Sequence, residues 1–146
     1  MRLTAAVAVA AAGLLAAGLP AAAKTRPATP AAVVRAWSAA LDRDDNEAAA
    51  DLFAKNAVVS QGGLSVVLFS HRIAVLWNSG LPCTGRIVRL TVKKDVADAT
   101  FVLGNRRSSK CDAPGTRARA TFRVRNGKIA RWTQLPVRQA PGPLTA

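Results

Sequence analysis

Between Thr116 and Arg125 the chain alternates without a break. Ala118, Ala120, Phe122 and Val124 fall on one side and Arg117, Arg119, Thr121, Arg123 and Arg125 on the other, the period of two that a strand buried on one face requires. Asn126-Gly127 follows, the pair that tolerates the positive φ angles of a type I′ turn, and it predicts a hairpin. An unbroken register pairs Val124 with Ile129 and Phe122 with Arg131. Arg131 then projects to the apolar side and Trp132 stands across from Thr121 among the arginines, unless a bulge turns Trp132 inward. Upstream, Ala97, Ala99, Phe101 and Leu103 alternate with Asp98 and Thr100, and Val88, Leu90 and Val92 form one side of a strand over Arg86 to Lys93. Lys94-Asp95 turns between these two, and Gly104 to Gly115 is a longer polar loop. The second half is thus a curved antiparallel meander.

The first half has the helical period. Thr29-Pro30 is a helix start, a hydroxyl cap followed by a residue already at helical φ, and Val33, Trp37, Ala40 and Leu41 share one face over residues 30–42. Asp44-Asp45-Asn46-Glu47 has the form of a capping box for a second helix running to about Ala54, with Ala49, Leu52 and Phe53 toward the core. Ala57 to Ser60 and Leu64 to Phe69, joined by Gln61-Gly62-Gly63, read as a hairpin. Ser70 caps a third helix over His71 to Asn78, with Ile73, Leu76 and Trp77 as its apolar face and Gly80 as its stop.

The chain has 146 residues, and its start is not expected to belong to the fold. Met1-Arg2, the apolar run Ala5 to Leu19 and Ala21-Ala22-Ala23 have the order of a signal peptide over residues 1–23, with a run too short for an ordinary membrane span. Residues 24–29 make a tether, 30–136 one domain and 137–146 a flexible tail. No membrane span remains after the signal, so the expected location is secreted or periplasmic. Setting Arg2 aside leaves 20 Lys+Arg against 8 Asp+Glu, a net charge of about +12 that favours anionic surfaces. In an exported protein nucleic acid is not the expected partner.

Two cysteines in an exported chain predict a disulfide, Cys83–Cys111. With the turn at Lys94-Asp95, residue 83 lies opposite about residue 106, so Cys111 can curl back within bridging range. A metal would need more ligands than two cysteines and His71, the sole histidine, provide, and no Gly-rich phosphate loop is present. Neither metal nor cofactor is expected.

Five stretches carry a family resemblance: Val34 to Leu41, Ala48 to Ala57, Leu81 to Ile87, Ala99 to Gly104 and Asn126 to Pro136. Their order, helix, short helix, hairpin, helix and meander, resembles the cone-shaped α+β (cystatin-like) fold of the nuclear transport factor 2 (NTF2)-like superfamily, closest to its SnoaL-like branch. That resemblance implies a pocket between the inner sheet face and the first helix. Ala97, Ala99, Ala118 and Ala120 leave room in it, Trp37, Trp77, Phe101 and Phe122 line it, and Arg131 is placed to grip a carboxylate or phosphate. It also implies either a monomer or a homodimer through the outer sheet face, a face that here carries arginines.

Enzymes on this scaffold pair an Asp or His base with a donor that stabilises an enolate-like oxyanion, as ketosteroid isomerase does. This chain has no Tyr, and its acids gather at helix starts from Asp42 to Asp51. His71 is the one candidate for proton transfer near neutral pH. The expectation is therefore an exported domain that binds a small apolar or weakly acidic ligand, or a protein partner, without catalysis. An isomerase- or dehydratase-like enzyme in the same pocket is the alternative. A polyanion-binding module through Arg117, Arg119, Arg123 and Arg125 is a second.

Overall fold

The computed structural model describes residues 26–137. The expected signal peptide, the first two residues of the tether and all but the start of the expected tail lie outside the described residues. The order of elements is α1 (Pro30–Asp42), α2 (Asn46–Asp51), β1 (Phe53–Gln61), β2 (Leu64–Leu68), α3 (His71–Ser79), β3 (Cys83–Lys93), β4 (Val96–Asn105), β5 (Arg117–Arg125) and β6 (Lys128–Leu135). The helices start where side chains can take up free amides. Thr29 Oγ1 accepts from Ala32 N, Asp45 Oδ1 from Ala48 N and Ser70 Oγ from Ile73 N.

Six strands form one sheet in the order β2-β1-β6-β5-β4-β3, and the sheet is mixed. β1 runs parallel to β6, with Phe53 opposite Ile129 and Val59 opposite Trp132, while every other neighbouring pair is antiparallel. The antiparallel expectation thus fails at one junction, and the same junction shortens α2. Ile129 N donates to Leu52 O at 2.7 Å, which draws Phe53 into the sheet instead of letting the helix continue to Ala54. Phe53 is buried all the same, from a strand.

Two bulges decide which side chains face the core. In β3, Ile87 pairs with Phe101 and Arg89 with Thr100, leaving Val88 as the extra residue. Ile87 and Leu90 therefore pack on the core and Val88 is turned out, against the simple alternation; Val92 keeps its place on the inner side opposite Ala97 but is exposed near the end of the strand. In β6, Arg123 pairs with Arg131 and Val124 with Ile129, so Ala130 is extra. Trp132 then meets Phe122 on the inside and Arg131 is exposed on the outside, the reverse of the unbroken register. The bulge wins because it buries an indole and leaves a guanidinium in water. α3 keeps Ile73 and Trp77 against the core as expected, with one exception and two additions. Leu76 is exposed, and Ala74 and Asn78 are buried.

All three helices lie on the inner face. α1 packs over β3, β4 and β5, and α2 and α3 pack on one another at its end. The core joins Val33, Val34 and Leu41 of α1 to Phe101, Phe122, Ile129 and Trp132 of the sheet.

Candidate functional site: a cavity under the first helix

The inner face of β4, β5 and β6 presents Phe101, Ala118, Ala120, Trp132 and Gln134, and α1 hangs Trp37, Ser38 and Leu41 over them. Because Ala118 and Ala120 stop at Cβ, the sheet and the helix do not close on each other along this stretch. An open cavity of about 710 Å³ remains. Its mouth is built from the segment Leu81 to Gly85 on one side and from Gln61 to Gly63, Pro136 and Val137 on the other.

Gly85 sets the depth of the wall. A Cβ there would stand 2.9 Å from Phe101 Cβ and 3.2 Å from its Cδ1, so only glycine lets β3 lie this close to the ring. The freed backbone is used at once, since Ser38 Oγ donates to Gly85 O at 2.8 Å and ties α1 to β3. Thr84 Oγ1 donates to Asp42 Oδ1 one turn along. Behind the cavity the aromatic rings form one cluster. Trp37 lies edge-on to Phe122 at 5.3 Å and to Phe101 at 6.2 Å, and Trp132 packs on Trp77 at 5.0 Å.

Trp37 is also fixed by a polar chain. Its Nε1 donates to Asn78 Oδ1 at 2.9 Å, and Arg106, 5% exposed, donates from Nη1 to the backbone oxygens of Asn78 (2.7 Å) and Leu81 (3.1 Å), from Nη2 to Asn46 Oδ1 (2.6 Å) and from Nε to Asp44 Oδ1 (2.6 Å). This places a cation inside the protein with every contact an acceptor, as burial of an arginine demands. Partial burial would raise the Asp44 carboxyl, but hydrogen bonds from Arg106 and from the Ser108 hydroxyl and amide outweigh it and hold Asp44 below its ordinary 3.8. The network binds the loop before β5 to the ends of α1 and α3. Cys83 and Cys111 are joined in a disulfide that fastens the same loop at the cavity mouth. Asp112 Oδ1 lies 3.2 Å from Cys83 Sγ. That sulfur has no proton to donate and, being bonded to Cys111, is no thiolate, so the trio Cys83, Cys111 and Asp112 is not a metal site in this form.

Of the residues expected in the pocket, Trp37 and Phe101 line it. Trp77 and Phe122 belong to the core behind it, and Arg131 is on the outer face because of the β6 bulge. His71 is outside the cavity. Its Nε2 is 2.9 Å from Asp51 Oδ1 and its Nδ1 3.6 Å from Glu47 Oε2, all three side chains being at least half exposed, over a shallow depression with Phe69 and Lys128. Glu47, expected to reach back to its own helix start, faces the histidine instead. Arg117, Arg119, Arg123 and Arg125 all take the outer face, where Arg119 is paired with Asp98, and Arg123 and Arg125 approach Asp95 at 3.7 and 3.8 Å. The cavity reaches the β5 chain at Arg117 and Arg119, but register and the Asp98 pairing direct Arg119 away from it.

Ser38, Thr84, Gly85, Gln134 and Trp132 were the contributors that pattern reading missed or left open. Each depends on a cross-strand or helix-strand contact more than 40 residues away or on the bulge at Ala130. Only Trp132 had a sequence signal, as the one large apolar residue that the unbroken register put in water.

This architecture is the NTF2-like fold. Among solved structures it is similar to an NTF2-like protein of unknown function from Cytophaga hutchinsonii (11% identity, TM-score 0.63, 77% of this chain and 93% of the other). It is similar also to a candidate polyketide cyclase from Sinorhizobium meliloti (20%, TM-score 0.60, 70% and 93%). A third is a ketosteroid isomerase-like-fold protein from Catenulispora acidiphila in complex with trimethylamine (17%, TM-score 0.59, 75% and 87%). No protein-family model and no curated protein matches the chain.

Proposed function

We propose that this chain is an exported, SnoaL-like binding domain that takes a small apolar ligand, neutral or weakly acidic, into the cavity under α1, without chemistry. The observation that carries this reading is the composition of the wall. Trp37, Leu41, Phe101, Leu103 and Trp132 surround a volume suited to a small molecule, and the one carboxylate that borders it, Asp112, is exposed in the loop at the mouth. Among the described residues no carboxylate lines the interior of the cavity, the place where burial would favour a general base. The disulfide supports an oxidising compartment, and no helix among the described residues is long and apolar enough to cross a membrane.

The test uses 1-anilinonaphthalene-8-sulfonate, an apolar probe with one acidic end, titrated against the full chain while tryptophan emission is followed. One probe per chain should bind and quench Trp37 and Trp132. Ala118→Phe, which fills the cavity, should abolish this without lowering the melting temperature. Equal probe binding by Ala118→Phe would show that the cavity is not the site. An isomerase- or dehydratase-like activity is the second reading, favoured by Asp112 alone. It requires that Asp112→Asn remove turnover of a carbonyl substrate while leaving probe binding intact.

A further inference from the structure

The outer face of the sheet holds a pattern that no single strand shows. β4 is flanked by β3 and β5, and its outward positions align cations on both sides. Arg86, Val102 and Arg117 form one row across the three strands; Arg89, Thr100 and Arg119 form the next; Lys93, Val96 and Arg123 form a third. Between the second and third lies an uncharged-flanked row, Thr91, Asp98 and Thr121. Strand spacing puts the cations of a row about 10 Å apart, with β4 as a floor between them, and rows one step apart follow at about 7 Å along it. Like charges placed this way repel. Asp98 binds Arg119 and Asp95 approaches Arg123. Among the described residues, no carboxylate lies within 4.0 Å of Arg86, Arg89, Lys93 or Arg117.

We infer that this trough along β4 binds a single extended chain of an acidic polysaccharide, its carboxylate or sulfate groups meeting the β3 and β5 cations alternately. Three observations favour that ligand over other polyanions. The face carries no aromatic side chain on which bases could stack: Trp37, Phe101, Phe122 and Trp132 are inside, and the exposed Phe69 follows β2, at the opposite edge of the sheet. The floor residues Val96, Asp98, Thr100 and Val102 are short, with Asp98 paired to Arg119, so the floor presents no large apolar side chain for insertion into a lipid surface. A gap of about 10 Å suits one strand of polymer and is narrower than a nucleic-acid duplex. The hydroxyls of Thr91, Thr100 and Thr121 can meet the sugar hydroxyls between the charges. The trough is on the other side of the sheet from the cavity, and the inference stands apart from the ligand-binding reading.

The test is binding of a fluorescent heparin octasaccharide to the full chain, followed by anisotropy at several salt concentrations. Polygalacturonate, duplex DNA and phosphatidylglycerol vesicles serve as competitors. Affinity should fall steeply with salt, and both polysaccharides should displace the probe. The triple variant Arg86→Gln/Arg89→Gln/Lys93→Gln should bind about a hundredfold more weakly, and Arg117→Gln alone about fivefold. A variant with the same charge loss on the helices, Arg35→Gln/Arg43→Gln/Arg72→Gln, should stay within about twofold. Equal loss in the two triple variants would reduce the effect to net charge and overturn the site. Tighter binding to duplex DNA or to the vesicles than to either polysaccharide would overturn the ligand. If the β3 variant unfolds, the Arg117→Gln result decides alone, and an unchanged affinity there counts against the trough.

Discussion

At the scale of single residues, the buried polar atoms say more than the apolar ones. Arg106 has four protein acceptors and almost no exposure. Arg106→Ala leaves Asp44, Asn46 and two backbone carbonyls short of a donor, and should lower stability by about 3 kcal/mol or more, read as a shift in urea midpoint at constant slope. Arg106→Lys should recover little, because an ammonium cannot span that fan of acceptors. Two tryptophans give a matched comparison. Trp37 Nε1 is bonded to Asn78 and Trp132 Nε1, although buried, has no acceptor among the described residues. Both Trp→Phe changes remove similar volume, but Trp37→Phe also orphans Asn78 Oδ1. It should cost at least about 1 kcal/mol more than Trp132→Phe in the same denaturation experiment. Nothing in the sequence marks Arg106 out from its neighbour Arg107. Its role comes from a loop folding back onto the Asp44 turn, 62 residues earlier.

At the scale of elements, period and turn chemistry made most of the sheet legible. β5 alternates as written, Lys94-Asp95 turns β3 into β4, and Asn126-Gly127 has the positive φ angles its residues imply (50° and 73°). Cys83 faces Asn105, one residue from the expected partner. What period alone could not show were the bulges at Val88 and Ala130 and the parallel β1·β6 pairing. Each is settled by which residue gains more from burial once the layers meet, a tertiary quantity. The cavity was legible as a place and only partly as a lining, because its wall moves by one residue at the β6 bulge. The α1–β3 contact can be probed directly. Gly85→Ala pushes a methyl into Phe101 and should cost about 1–3 kcal/mol, lowering the melting temperature while also weakening probe binding in the cavity. A variant that loses stability but binds the probe as before would show that the Gly85–Phe101 contact supports the fold without shaping the site.

For the molecule as a whole, charge is the governing variable, with 21 Lys+Arg against 8 Asp+Glu. Among the described residues most cations have no carboxylate within 4.0 Å, so the few acids that are paired are disproportionately important to how stability follows pH. Hydrogen bonds from Arg119 hold Asp98 below 3.8, and the Arg106 and Ser108 bonds do the same for Asp44. The raised Arg119 value records that same Asp98 pairing from the other side and is not a second contribution. For a carboxyl depressed in the fold, the unfolded chain takes up the proton first as pH falls. The stabilisation is therefore complete above the ordinary value and is lost as pH drops below 3.8 and through the lower folded values. Melting temperatures should be nearly level from pH 7 to 5 and fall steeply below pH 4, with self-repulsion among the cations adding to the loss. Asp98→Asn should flatten little of that fall, because Asp98 and Arg119 are 28% and 45% exposed and water screens the pair. Asp44→Asn should remove more of it and lower the plateau at pH 7 as well, since Arg106 is then left buried without its anion. A profile for Asp44→Asn that matches the parent below pH 4 would show that the Asp44–Arg106 network is not what acid breaks.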